Sequence, residues 1–214
     1  MKNSVLLVLF LTIFSSTIMA SQGVLYFKSG FPDIAKNILL QEFKTGNNKP
    51  EVCYYLGNIS FLENKPDSAK YYFNEGLKAD PTSALNSIGL IMVDMKSLDS
   101  ELATESLSKI IKDKKNKKDI LVPIAAAYSY LYNKDQVKAM EYYDLARTIN
   151  TKSPDLYVLK GDILAGTNLG DACANYEMAI FYNKDCKEAY VKYARVYKVM
   201  NPNQSIEKLN TLKL

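Results

Sequence analysis

Residues 68–81 read SAKYYFNEGLKADP (Ser68–Pro81): a small residue, an aromatic run, a small residue again, then Asp-Pro. Alone, this is one amphipathic helix closed by a proline, so its weight depends on whether the pattern recurs along the chain. It does. Reading outward, Leu56 and Gly57 stand upstream, and Ala69, Phe73, Gly76 and Pro81 mark the stretch itself. One step of 34 residues back puts Gly23, Ala35 and Leu39 on the same marks, and one step forward from Ala69 gives Ala103 and Leu107, with Ile110 next. Further on come Ala139, Tyr143 and Ala146, then Ala172, Tyr176 and Ala179. The helix before each copy repeats too, as Gly23/Tyr26, Ala127/Tyr130, Gly161/Leu164 and Ala194/Tyr197. Turn signals fall inside the pairs at KSGFPD (28–33), ENKPDS (63–68), YNKD (132–135) and GTNLGD (166–171). Others fall between the pairs at KADP (78–81), NTKSP (150–154) and YNKD (182–185).

The arrangement resembles the tetratricopeptide repeat (TPR) family, whose 34-residue unit is a helix-turn-helix. Leu56, Gly57, Ala69, Phe73 and Pro81 carry the resemblance in the best copy, followed by Ala139/Tyr143/Ala146 and Gly161/Ala172/Tyr176/Ala179. It implies an all-α solenoid, a right-handed superhelix of about five to six repeats over 21–214, at 21–49, 50–83, 84–119, 120–153, 154–185 and 186–214. Small residues allow the two helices of a pair to approach, and the reading sets Gly57 against Ala69 and Gly161 against Ala172. Phe73, Tyr143 and Tyr176 are then expected to fill the space between one pair and the next. There are departures: Ile91 stands where a glycine would fall, with Gly89 two residues earlier, and repeat 5 is one residue short in its inner turn. At the end, Ile206, Leu209 and Leu212 share one helix face with no partner following, so this helix is either a cap or the start of a continuation.

In this family the first helix of each pair lines a concave groove. Carried over residue by residue, that face contains Tyr54, Asn58, Phe61 and Leu62 in repeat 2, and Met92 and Met95 in repeat 3. Tyr128, Leu131 and Tyr132 follow in repeat 4, Asp162 in repeat 5, and Arg195 and Lys198 in repeat 6. A groove so rich in Tyr, Phe and Met suits an extended or apolar peptide with few charges. The resemblance therefore implies a non-catalytic scaffold that binds a protein or peptide. The alternative is an assembly element that self-associates through its C-terminal repeat or forms part of a larger protein.

The composition narrows the function classes. The 214 residues include no histidine, which removes the commonest general base and transition-metal ligand. No Gly-rich phosphate loop and no Cys-x-x-Cys is present, so neither a cofactor nor a metal is expected. The acidic residues are scattered over helix surfaces, and only Asp162, directly after Gly161, stands where partial burial is expected. The net charge of +4 is milder than nucleic-acid binders show. The run KIIKDKKNKKD (109–119) holds six lysines without arginine or aromatics, so it reads as a solvated helix end or, functionally, as a patch for an anionic surface or acidic partner. Cys53, Cys173 and Cys186 read as unpaired, buried or semi-buried residues, because about nine residues of helical rise separate the levels of the last two.

Residues 1–20 have the shape of a secretory signal peptide: Lys2, an apolar run from Val5 to Phe14, and a small polar close before Ala20. That run is shorter than the roughly 20 residues that span a bilayer, so no membrane segment is expected after cleavage. With its Lys/Asn/Ile-rich composition the chain looks like envelope TPR proteins of low-GC Gram-negative bacteria such as the Bacteroidetes. The expected location is accordingly periplasmic or outer-membrane-associated.

Overall fold

The computed structural model describes residues 22–46, 49–95 and 100–202; the expected signal peptide at 1–20 and the expected terminal helix with Ile206, Leu209 and Leu212 lie outside the described residues. Every regular element among the described residues is a helix. The chain divides into two compact units, Met1–Pro81 and Thr82–Leu214.

The first unit holds α1 (22–28), α2 (Pro32–Lys44), α3 (Pro50–Leu62) and α4 (Pro66–Ala79). The second holds α5 (Ala84–Asp94), α6 (Ser100–Lys112), α7 (Leu121–Tyr132) and α8 (Gln136–Ile149). It continues with α9 (Pro154–Leu164), α10 (Leu169–Tyr182) and α11 (Lys187–Met200). Consecutive helices pack together from α2 to α4 in the first unit and from α5 to α11 in the second, where α7 also packs on α5 and α9, so first helices of successive pairs neighbour each other within this unit.

Local sequence sets the boundaries. Pro32, Pro50, Pro66 and Pro154 each occupy the first turn of a helix, where no intrahelical N–H bond is lost. Each is followed by an acidic residue (Asp33, Glu51, Asp67, Asp155) that complements the positive helix start. Ser83, Asp135 and Asn168 instead accept a backbone N–H from Asn86, Lys138 and Asp171. Three inner turns share one geometry. Gly30, Asn64 and Lys134 are left-handed, at φ 80°, 59° and 68°. The next N–H, of Phe31, Lys65 or Asp135, donates five residues back to Tyr26, Ser60 or Tyr130 at 2.9 Å. This is the Schellman closure of a helix end. Repeat 5 is built otherwise: the N–H groups of Thr167 and Asn168 both reach the Leu164 carbonyl, at 3.0 and 2.7 Å.

The packing corrects one expectation. Gly57 faces Phe73 rather than Ala69: a Cβ built at Gly57 would lie 2.4 Å from the Phe73 ring. Likewise a Cβ at Gly161 would lie 2.4 Å from Tyr176, and one at Gly23 would lie 2.8 Å from Leu39. These large residues therefore fill the space inside their own pair. The cause is side-chain direction. A helical side chain leans toward its own N-terminus, so Phe73 covers the level one turn nearer the connecting turn, where Gly57 lies. Ala69, Phe73, Ala172 and Tyr176 are all buried. Cys53 and Cys173 are buried and Cys186 half-buried, and none forms a disulfide.

Candidate functional site

Three polar side chains of the second unit converge on Asp162 in α9. The Tyr128 hydroxyl, from α7, donates to Asp162 Oδ2 at 2.7 Å. The Tyr176 hydroxyl, from α10, donates to Oδ1 at 2.8 Å. Lys192 Nζ, from α11, also pairs with Asp162 Oδ2 and reaches Glu188 Oε1 at 3.1 Å. Four helices are thus tied to one carboxylate. The Asp162, Glu188 and Lys192 side chains are 17%, 10% and 13% exposed, so the group is largely shielded but keeps an opening to solvent.

Its electrostatics favour protonated donors. Burial pushes the Tyr128 phenol well above its ordinary pKa, and the Asp162 charge adds to the rise. Tyr176 is raised by the same two causes. Burial opposes the charge on Lys192, but Asp162 and Glu188 outweigh it and hold the ammonium above its usual range. None of the three donors is poised to give up a proton near neutrality, where acid-base catalysis needs one. A cluster of this kind fixes helix positions. Among the described residues no three His, Cys, Asp or Glu gather to hold a metal.

The structure spreads the remaining face residues unevenly. Tyr54 and Asn58 are buried in α3, at 8% and 2% exposure; burial raises the Tyr54 phenol while a hydrogen bond with Asn58 opposes the rise. Met92 is 1% exposed, and its carbonyl accepts from Asn133 Nδ2 at 3.1 Å, while Met95 Sδ lies 3.4 Å from the same nitrogen. Asn58 and Met92 therefore belong to the interior, not to a contact surface. Phe61, Met95, Leu131 and Tyr132 are half-buried, and Leu62, Arg195 and Lys198 are exposed. Tyr128 and Tyr132 lie with ring centroids 5.6 Å apart.

Sequence reasoning found Asp162 and Tyr128 but missed the bond between them, although they stand 34 residues apart, one repeat length. It also missed Lys192, Glu188 and Asn133, and read Tyr176 as packing alone. A Glu188/Lys192 pair at i,i+4 was the available signal. For Asn133 there was none beyond its place in a turn.

No family model matches the chain, and no curated protein matches its sequence. Among solved structures, yeast Tom70 is 20% identical over 88% of this chain and 42% of its own, with a TM-score of 0.50. The fold is a TPR-type α-solenoid. A thermophilic TPR protein of Thermus thermophilus is 16% identical over 85% of this chain and 98% of its own, with a TM-score of 0.49. A tetratricopeptide repeat protein of Parabacteroides merdae is 14% identical over 92% and 80%, with a TM-score of 0.45. At such identities the likeness concerns the TPR fold alone.

Proposed function

We propose that this TPR chain is an exported, non-catalytic scaffold that binds a protein or extended peptide along the face made by the first helices of its pairs. Its setting is then cell-envelope assembly or secretion, in the periplasm or at the outer membrane. The observation that carries the reading is the bridge from Tyr128 through Asp162 to Lys192. It aligns α7, α9 and α11, first helices of three successive pairs, and leaves Leu131, Tyr132 and Arg195 as the accessible margin of their shared face. Aromatic and arginine side chains on a prepositioned surface are the usual anchors of protein contacts.

A photo-crosslinking residue placed at Tyr132, and separately at the exposed Tyr71 of α4, tests this in producing cells. Crosslinks to a defined partner are expected from position 132 and not from 71. Equal yields from both, or none from 132, count against the face. Export is tested separately, by the N-terminal sequence and cell fraction of the mature chain.

A second reading, self-association, draws support from Phe181 and Val199, which are 72% and 67% exposed near the C-terminal end of the described helices. Light scattering decides it: a concentration-dependent dimer that Phe181→Glu abolishes favours this reading, and a monomer at all concentrations removes it.

A further inference from the structure

The chain has 27 basic and 23 acidic residues, a net charge of +4. Residues 109–119 alone hold six lysines and two aspartates, also a balance of +4. The rest of the chain is therefore neutral, with 21 basic and 21 acidic residues. All of the excess charge sits in one segment of eleven residues.

The structure shows why that charge is not neutralised there. Lys109 and Lys112 end α6, where the helix dipole accounts for them, and Lys109 pairs with Glu105 at 2.8 Å. The dipole does not account for Lys114, Lys115, Lys117 and Lys118, which follow in the turn. The two aspartates are turned onto backbone. Asp113 Oδ1 accepts the Lys115 N–H at 3.1 Å, and Asp119 Oδ1 accepts the Leu121 N–H at 2.9 Å. Asn116 Nδ2 donates to the Ile110 carbonyl at 2.9 Å, and the N–H groups of Asn116 and Lys117 return to the Asp113 carbonyl. A hydrogen-bonded turn thus presents five exposed lysines, Lys112, Lys114, Lys115, Lys117 and Lys118, none of them in an ion pair among the described residues.

We propose that this turn is an electrostatic docking site for a phospholipid surface bearing anionic headgroups, separate from the partner-binding face. Lysine is a mobile point charge suited to a diffuse layer of phosphate, and it lacks the planar fork with which arginine grips individual carboxylates. No aromatic residue stands within 109–119 to stack on bases. The nearby depression between α6 and α8 is lined by Glu, Thr, Ser and Lys residues, Lys109, Lys112 and Lys138 among them, with no aromatic, Leu, Ile, Val or Met side chain to anchor a protein partner. Leu121, 41% exposed, lies directly beyond the lysines and can enter the headgroup layer while they remain in it.

The test is cosedimentation of the full chain with vesicles of phosphatidylcholine alone or mixed with phosphatidylglycerol. The comparison is with the variant Lys114→Gln/Lys115→Gln/Lys117→Gln/Lys118→Gln. Any insertion of the apolar N-terminal residues is common to both proteins and both vesicles, so the lysine contribution is the difference between lipids. Partition onto anionic vesicles is expected to exceed that onto neutral ones at least tenfold, and to lose that excess in the variant and at high salt. The Lys→Arg form of the same four positions is expected to restore it, with the helical circular dichroism of all forms unchanged. Equal partition into both lipids, or an excess that survives the four Gln substitutions, overturns the proposal. So does tighter capture by polyglutamate or an oligonucleotide than by the vesicles.

Discussion

Gly57 and Gly161 lie in helices, where alanine in place of glycine ordinarily gains about 1 kcal/mol. Their contact with Phe73 and Tyr176 reverses the sign. Gly57→Ala and Gly161→Ala are each expected to destabilise their unit by about 1–3 kcal/mol, the usual cost of overpacking, as measured by urea denaturation. Phe73→Leu is expected to recover part of the loss in the Gly57→Ala background, since Leu39 already fills the matching place opposite Gly23. Gly166, with nothing within 4 Å of an added Cβ, is the control, and Gly166→Ala is expected to be neutral or slightly stabilising. Lys134 gives a second test. Its left-handed backbone costs a lysine about 1 kcal/mol, so Lys134→Gly is expected to raise the melting temperature and Gly30→Ala to lower it. The glycines and aromatics were legible as sequence marks because they recur at one spacing. Their mutual contact was not, because position alone does not reveal the backward lean of a long side chain.

Among the elements, α7, α9, α10 and α11 depend on the carboxylate of Asp162. Asp162→Ala is expected to cost about 2 kcal/mol, by leaving two phenols and an ammonium without their shared acceptor; Asp162→Asn, which keeps an acceptor oxygen, is expected to cost less. The donors fix the pH dependence. Lys192, Tyr128 and Tyr176 all have folded pKa values raised above their ordinary ones, so the folded state holds their protons more tightly than the unfolded chain. Their contribution is complete below the ordinary values, 10.0 for Tyr and 10.5 for Lys, and is lost as pH rises beyond them. Thermal unfolding followed against pH is expected to be flat in this contribution up to about pH 10 and to fall above it, less steeply in Tyr176→Phe. In α2, Glu42 acts in the opposite sense. Both its oxygens are buried without a hydrogen-bond partner among the described residues, and burial raises its pKa above 4.5 against the pull of Lys49. Its charge therefore opposes folding at neutral pH. Glu42→Gln is expected to add about 1 kcal/mol at pH 7, an advantage that vanishes below about pH 4.

At the scale of the whole molecule, the recurrence that opened with Ala69 and Phe73 revealed the helical pairs because each repeats the same local packing problem. The polar bridge escaped because it joins residues from three repeats, and no single repeat displays it. Nearest-neighbour stabilisation has a measurable consequence. In Gly57→Ala, hydrogen exchange is expected to quicken first in α3 and α4, then in α2. A uniform rise along the whole chain would instead show a single cooperative block.

The three cysteines, none in a disulfide, give the molecule an internal set of clocks. Burial pushes the Cys53 thiol up to about 11 and raises Cys173 as well, so both are nearly inert to alkylating reagents while the helices are closed. Cys53 lies in α3 of the first unit and Cys173 in α10 of the second. The rate at which a thiol reagent marks each one reports how often its own unit opens, with no foreign label introduced. Cys186, half-buried at the start of α11, reports on that helix start. The residues that close the core thereby time its opening.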